Sequence, residues 1–178
     1  MKIDDRSQED TGHTEFLYRG YTITCIYGKV TQQLKEEIVS LWQNAGVMSL
    51  SEAQRRTGEV VMTVRNGAGE LIGVNTVYVG DFLKKNNLYF FYRVFIRPQD
   101  RGQFGLHGFL GKKAREFLRQ HSRHSGPKGV VAVAENRKIM SLGGRRLMER
   151  NGWNYYGKGP RGYDVWYINF DGSQLDLS

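Results

Sequence analysis

Cysteine and long apolar runs are scarce in this sequence. Cys25 is its only cysteine, which excludes an intramolecular disulfide and a zinc site with several thiolates and suits a reducing compartment. No run approaches the roughly 18 apolar residues that a membrane span needs. The histidines show no metal-binding spacing. We therefore predict a cytoplasmic protein that has no membrane association and no metal site.

Acidic residues are outnumbered, since 18 Asp and Glu face 26 Lys and Arg, for a formal net charge of +8. Such a balance favours an anionic ligand or partner. With 178 residues, 39% of them hydrophobic, the chain has the size and apolar content of one domain. Its first fifteen residues are polar, unlike a secretory signal or a transit peptide. We predict a flexible tail over 1–15, one domain over 16–170 and a C-terminal tail over 171–178.

Hydrophobic patterning predicts strands and helices in a mixed order. The predicted strands cover 16–27, with a hairpin or bulge at Gly20, and then 60–65, 70–80, 88–96, 129–134, 153–157 and 164–170. The predicted helices follow Thr31, Ser51, the loop after Pro98 and Asn136. Strands joined by the turn at 66–69 must pair antiparallel, whereas later strands arrive through helices. The fold class is therefore α/β of the mixed α+β kind, with six to seven mostly antiparallel strands and about four helices.

The segment RVFIRPQDRGQFGLHGFL carries the clearest chemical signal. A strand that runs through a glycine-bearing turn into a helix directs backbone N–H groups and the positive end of the helix dipole at one spot, which favours a phosphate group. Arg101 can add a bidentate contact to a phosphate. Gly105, Gly108 and Gly111 indicate close approach by a ligand, or simply tight helix–sheet packing. The P-loop and dinucleotide glycine motifs are both absent.

Two motifs in this sequence are similar to those of one family. Ile96-Arg97-Pro98, followed by Arg101-Gly102, is similar to a V-x-P-x-x-R-G motif, and the helix from Asn136 ends in L-M-E-R-N-G-W, similar to N…L-Y-E-K-x-G-F. With the element order from 16 to 170, these motifs resemble the GCN5-related N-acetyltransferase (GNAT) superfamily. The resemblance implies an N-acyltransferase that uses acetyl-CoA or another acyl-CoA as co-substrate.

The resemblance also implies where acyl-CoA would lie. The central strand splays from the next parallel strand, and the pantetheine pairs with backbone at Val94, Phe95 and Ile96. Asn136 reaches the pantetheine or helps to place the thiol. The pyrophosphate rests on the loop and first helical turn, that is, on Arg101, Gly102, Gln103, Phe104, Gly105, Leu106 and His107.

Three departures from the family pattern carry predictions. The family loop has glycines where direct alignment places Phe104 and Leu106; one extra residue aligns Gly105 with the first but leaves His107 at the second. An altered loop with weaker CoA binding is therefore expected. Met148 stands where many members have a tyrosine that protonates the leaving thiolate, and the closing helix is about five residues longer than usual.

The catalytic candidates are Glu135 as a general base and Tyr92 as a proton donor to the thiolate. For Glu135 the alternative is a solvated carboxylate or an ion pair with Arg137 or Lys138. For Tyr92 the alternative is a core position. His107, at a helix start, is expected to touch phosphate or solvent rather than to act as an acid or base.

Positive charge is concentrated in one part of the chain, because residues 93–161 contain 16 Lys and Arg against 4 Asp and Glu. Cofactor phosphates explain part of this excess. The remainder includes Arg119, Arg123, Lys128, Arg145 and Arg146. These charges fit a solvated face, an acidic substrate or nucleic acid.

The predicted function is thus N-acylation of an unidentified amine by a monomer or homodimer. Two alternatives remain open at this point. One is a GNAT-like fold that binds nucleic acid or protein through its basic half, and the other is acylation of an amine linked to nucleic acid.

Overall fold

The computed structural model describes residues 14–102 and 105–175, with the side chains of 123–125 left aside. The predicted N-terminal tail up to residue 13, the end of the chain from 176, and the loop residues Gln103 and Phe104 lie outside the described part. The described strands are β1 Glu15–Tyr18, β2 Tyr21–Cys25, β3 Val60–Arg65, β4 Leu71–Asp81, β5 Leu88–Ile96, β6 Gly129–Ala134, β7 Asn154–Lys158 and β8 Asp164–Asn169. The described α-helices are α1 Gln32–Asn44, α2 Leu50–Arg56, α3 Leu106–Ser125, α4 Arg137–Met140 and α5 Leu142–Arg150.

The strands form one sheet in the order β1-β2-β3-β4-β5-β6-β8-β7. The β1–β2, β2–β3, β3–β4, β6–β8 and β7–β8 pairs are antiparallel, and β5–β6 is parallel. The parallel register runs from Phe90 opposite Val130 to Tyr92 opposite Ala132, although β5 continues to Ile96. This short pairing agrees with the splay expected from the resemblance. The predicted mixed, mostly antiparallel fold is confirmed.

The predicted strand count of six to seven is wrong, because the described residues form eight strands. The predicted strand over 16–27 is a hairpin, in which β1 and β2 are joined by Arg19 and Gly20 alone. Both residues have positive φ angles, 49° and 82°. Two successive positive φ values match the tight hairpin turn whose twist suits the flanking strands. The hairpin alternative at Gly20 was therefore the right one, and it adds one strand.

The helix starts are partly as predicted. Thr31 caps α1, with its hydroxyl accepting from Leu34 N at 3.3 Å. The cap of α2 is Ser49 rather than Ser51, because the Ser49 hydroxyl accepts from Glu52 N at 3.3 Å and the helix begins at Leu50.

The single long helix predicted from Asn136 is wrong. Ser141 is extended and divides it into α4 and α5, and its hydroxyl accepts from Gly144 N at 3.2 Å while donating to Lys138 O at 2.7 Å. Serine competes with helical hydrogen bonding in this way, so it starts a new helix instead of continuing the old one. The extra residues of the closing motif therefore form the separate turn α4.

The described residues cluster into two compact units, and the boundary passes through β4, β5 and α3. The first unit comprises 14–76 with 94–114. In its core, Ile38 and Trp42 of α1 and Ala53 of α2 pack with Val60 and Val74 of the sheet. This cluster matches the apolar spacing that predicts α1 from sequence.

The second unit comprises 77–93 with 115–175. Phe82 makes edge contacts with Tyr89 at 5.2 Å and Tyr156 at 5.4 Å between ring centroids, in a hydrophobic cluster that includes Val131 and Val165. Leu175, within the predicted C-terminal tail, also packs against this cluster. The second unit holds 14 Lys and Arg against 6 Asp and Glu, whereas the described part of the first unit holds 10 against 7, so most of the net positive charge belongs to the second unit.

Candidate acyl-CoA site

The turn that follows β5 in the first unit is held by Arg97. Its backbone N–H donates to Ile72 O at 2.9 Å, and its guanidinium donates to Glu70 at 2.7 Å and contacts Asp100. Asn66 donates to the same Glu70 carboxylate at 2.8 Å. The β3–β4 hairpin therefore fixes the point where the chain leaves β5. Sequence reasoning missed this role of Arg97, since its partner Glu70 is 27 residues away.

Arg101 folds back over the end of β5. Its Nε donates to Ile96 O at 2.8 Å, and its guanidinium carbon lies 5.8 Å from the centre of the Phe95 ring. The side chain is otherwise exposed. A phosphate contact by Arg101 would therefore use its two terminal nitrogens, because Nε already holds the strand end.

The two glycines of the described loop have different surroundings. Gly102 has a φ of +94°, and no heavy atom of the described residues lies within 4 Å of the place where a Cβ would stand. Gly105 has a φ of +82°, and a Cβ there would collide with the Tyr18 hydroxyl. Tyr18 in turn stacks on Phe109 of α3 at 4.6 Å. Packing explains Gly105, whereas Gly102 leaves open space that a ligand can approach.

The first turn of α3 carries Leu106 and His107. Leu106 is buried, so only its backbone can face a ligand. His107 is exposed at the surface, yet desolvation by its surroundings lowers its pKa and the positive charge of Arg101 lowers that pKa further. His107 is therefore neutral near pH 7 and would offer an anion an N–H donor rather than a positive charge.

The three residues expected to pair with pantetheine lie at the end of β5. Val94 is 38% exposed, Phe95 packs against the core cluster of the first unit, and Ile96 is buried. The structure leaves their pantetheine contacts as a prediction.

Asn136 belongs to the second unit and caps α4. Its side-chain oxygen accepts from Lys138 N at 2.9 Å, and the residue is exposed. The side-chain N–H₂ group is the part that would reach a pantetheine. Its cofactor role stays a prediction.

Glu135 makes an ion pair, but with a partner that sequence reasoning did not name. Arg161, in the turn between β7 and β8, donates to the Glu135 carboxylate at 2.9 Å, whereas the sequence suggested Arg137 or Lys138. The two side chains are 60% and 73% exposed. Such an exposed pair contributes little stability and separates easily. Glu135 thus remains available as a general base.

Tyr92 is buried against Trp153, with the ring centroids 6.3 Å apart. Its hydroxyl has no hydrogen-bond partner among the described residues, and burial raises its pKa although nearby Arg115 acts in the opposite direction. The Arg115 guanidinium lies 5.3 Å from the Trp153 ring centre and donates to Asn151 O at 3.0 Å. A buried phenol with a raised pKa is a poor proton donor, so this environment favours the core alternative.

We expect Tyr92→Phe to raise the free energy of unfolding by about 1 kcal/mol, because it removes a buried polar group that lacks a partner. The resemblance implies acyl-CoA turnover, and that rate should stay within about twofold of the unaltered protein's. Chemical denaturation and a thiol-release assay measure the two quantities. A drop in kcat of more than about tenfold with unchanged stability would make Tyr92 the proton donor after all.

A buried carboxylate in the second unit also escaped sequence reasoning. Asp164 is fully buried and accepts from Arg145 at 2.8 and 3.0 Å, from Lys158 at 2.7 Å and from Tyr155 at 3.4 Å. These hydrogen bonds, the one from Arg145 above all, lower the pKa of Asp164. Arg145 is therefore not one of the unexplained surplus cations, because it pairs with a buried carboxylate of the fold.

Across 14–102 and 105–175, no three His, Cys, Asp or Glu side chains are grouped as metal ligands would be. No helix in that part of the chain has the length and apolar character to cross a membrane.

No protein-family model matches this sequence, and no curated protein does. Solved structures do match. The ribosomal-protein-S5-alanine acetyltransferase from Vibrio fischeri is 10% identical, with 90% of this chain and 99% of that chain covered and a TM-score of 0.60. A GNAT-family acetyltransferase from Listeria monocytogenes is 13% identical, with coverages of 87% and 99% and a TM-score of 0.55.

A mutant of the toxin AtaT, bound to the C-terminus of the antitoxin AtaR and to acetyl-CoA, is also similar. It is 15% identical, with 85% of this chain and 94% of that chain covered and a TM-score of 0.54. At these identities the likeness is one of fold. This chain has the fold of the GNAT acetyltransferases, as its sequence motifs predicted.

Proposed function

We propose that this protein is an N-acyltransferase that moves an acyl group from acyl-CoA, acetyl-CoA in the first instance, to an amine. The observation that carries the proposal is the exit of β5, where the anchored turn at Arg97 leads through Gly102 to the N-terminus of the 20-residue helix α3. A helix start of this kind suits a diphosphate. The acetyl-CoA bound by the similar toxin AtaT supports the same ligand class.

The residues of the first unit fit a diphosphate ligand. Gly102 keeps space open beside the backbone, Arg101 supplies two terminal guanidinium nitrogens, and His107 supplies a neutral N–H donor. The backbone of Val94, Phe95 and Ile96 is proposed to pair with the pantetheine, and Asn136 to donate to it. Gln103, Phe104, Gly105 and Leu106 are proposed to complete the loop with their backbone amides.

Acyl transfer from a thioester requires few catalytic groups. Acyl-CoA supplies a thioester, and proximity alone accounts for much of the rate enhancement in such transfers. Glu135 is proposed to accept a proton from the attacking amine, directly or through water, as the new C–N bond forms and the C–S bond breaks. Since Met148 has no acidic proton, the thiolate is proposed to receive its proton from water.

The test is calorimetric titration with acetyl-CoA. The unaltered protein should bind, and Arg101→Ala should bind about tenfold more weakly, because a charge-assisted hydrogen bond contributes about 1.5–3 kcal/mol. Lys35→Ala is the matched control, since Lys35 is exposed on α1 and its removal takes away the same charge. Lys35→Ala should bind like the unaltered protein.

Two results would contradict the proposal. If millimolar acetyl-CoA produced neither heat nor thermal stabilisation, acetyl-CoA would be excluded as a ligand. If acetyl-CoA bound but no thiol were released over a panel of small amines, amino-terminal peptides and aminoacylated RNA, the proposed transfer activity would be contradicted. The same panel separates a free amine acceptor from one linked to nucleic acid.

A further inference from the structure

The outer face of α5 exposes apolar side chains. Leu142 and Leu147 are 69% and 60% exposed, the first and third most exposed of the large hydrophobic residues. Arg146 and Arg150 follow Leu142 at intervals of four and lie on the same side of the helix, and both are exposed. With about 100° of rotation per residue, the two arginines lie between Leu142 and Leu147 around the helix, so two exposed leucines flank a pair of cationic side chains.

Exposed positive charge outweighs exposed negative charge on α4 and α5, where Glu149 is the one acidic residue of the two helices. Arg145 turns inward to Asp164, but no described acidic side chain forms an ion pair with Arg146, Arg150, Arg137 or Lys138. Those four residues are all exposed. The face thus combines unbalanced positive charge with exposed leucine.

Two adjacent glycines in α5 are explained differently. A Cβ at Gly144 would collide with the carbonyl oxygens of Lys138 and Ile139, so close packing of α4 requires this glycine. A Cβ at Gly143 would meet nothing within 4 Å. Gly143 is the second residue of α5, and no contact within the described chain requires a glycine there.

We propose that this face of α5, defined by Leu142, Gly143, Arg146, Leu147 and Arg150, binds an acidic amphipathic segment of a partner protein. The two leucines would pack against apolar side chains of the segment, and the two arginines would form ion pairs with its carboxylates. Gly143 would allow the backbone of the segment to approach the helix closely. A nucleic-acid backbone could use the arginines but would leave both leucines in water. A second copy of this chain would bring the same positive charge to the contact.

The proposal does not rest on acyl transfer, because no residue of this face is assigned to the acyl-CoA site. It can therefore hold in a protein that fails every CoA experiment above, and the reverse is also true.

The test uses fluorescence anisotropy with a labelled 18-residue peptide designed as a helix with leucine and glutamate on one face. A scrambled peptide of the same composition and a single-stranded RNA of similar length are the comparison probes. The designed peptide should bind at least tenfold more tightly than the scrambled one, and Leu147→Ser and Arg146→Ser should each weaken it by about tenfold.

Gly143→Ala is the most selective variant. Alanine should stabilise the helix and raise the melting temperature. It should also weaken binding of the designed peptide by about tenfold, so the loss of binding would not reflect a loss of folding. Leu50→Ser is the control for exposed leucine, since Leu50 is 52% exposed at the start of α2. It should leave binding unchanged.

Three outcomes would overturn the proposal. They are equal binding of the scrambled peptide, RNA binding that the leucine variants do not affect, and self-association that Leu147→Ser abolishes. The last is measured by sedimentation of the protein without peptide.

Discussion

Replacing Gly73 with alanine is expected to lower the free energy of unfolding by about 3 kcal/mol, the upper part of the range for overpacked cores. A Cβ at this position of β4 would collide with Ile96 Cδ1 and lie 2.7 Å from Phe95 O and 3.3 Å from Ile96 Cα. The side-chain atom can move, but the two backbone atoms belong to β5 and cannot shift without bending the strand. Chemical denaturation measures the loss.

The same variant should bind acetyl-CoA about tenfold more weakly, because the backbone of Phe95 and Ile96 is proposed to pair with pantetheine. Gly58→Ala is the control, since no atom of the described residues lies within 4 Å of its Cβ position. It should change stability by less than about 0.5 kcal/mol. Normal CoA affinity in a clearly destabilised Gly73→Ala protein would contradict the proposed pantetheine contacts, though not the packing argument.

Replacing Asp164 with asparagine is expected to lower the free energy of unfolding at pH 7 by about 2 kcal/mol. The change removes the charge that Arg145 and Lys158 share and leaves their donors facing an amide. A buried ion pair that loses one partner costs about 3–5 kcal/mol in a deep core, but here the side chains of Arg145 and Lys158 are 36% and 50% exposed and can reach water. We therefore expect the free energy of unfolding to fall by less than that range.

This effect should depend on pH. The pKa of Asp164 is lowered in the folded protein, so its stabilising contribution is complete above the unfolded-state value near 3.8 and is lost as the pH falls through the lower folded-state pKa. Urea unfolding at a series of pH values should show the two proteins converging in acid. A difference that stays constant down to the lowest pH would mean that packing, rather than charge, explains the loss.

Asp81→Asn serves as the control for that series. Asp81 is an exposed carboxylate that accepts from Asn86 N at 2.9 Å, a bond that an amide oxygen can also accept. Its replacement should change stability by less than about 0.5 kcal/mol at every pH.

Local patterns predicted much of the fold because the signals concerned are short. The apolar stripe and Thr31 cap located α1, the turn at 66–69 located the β3–β4 hairpin, and two motifs indicated the GNAT fold. The misassigned details were equally local. Ser49 and Ser51 both satisfy a capping pattern, and nothing in the sequence shows that Ser141 divides a helix until its hydroxyl is seen to bond both sides.

The candidate site was predictable only in outline. The sequence by itself determined that a strand, a glycine-bearing turn and a helix start follow one another, because these depend on neighbours along the chain. Only the tertiary structure decided that Arg97 anchors the turn through Glu70, that Gly105 is required by Tyr18, that Arg161 pairs with Glu135 and that Arg145 neutralises a buried Asp164. Each of these joins residues far apart in the chain, and which distant side chains meet depends on how the whole sheet and its helices pack.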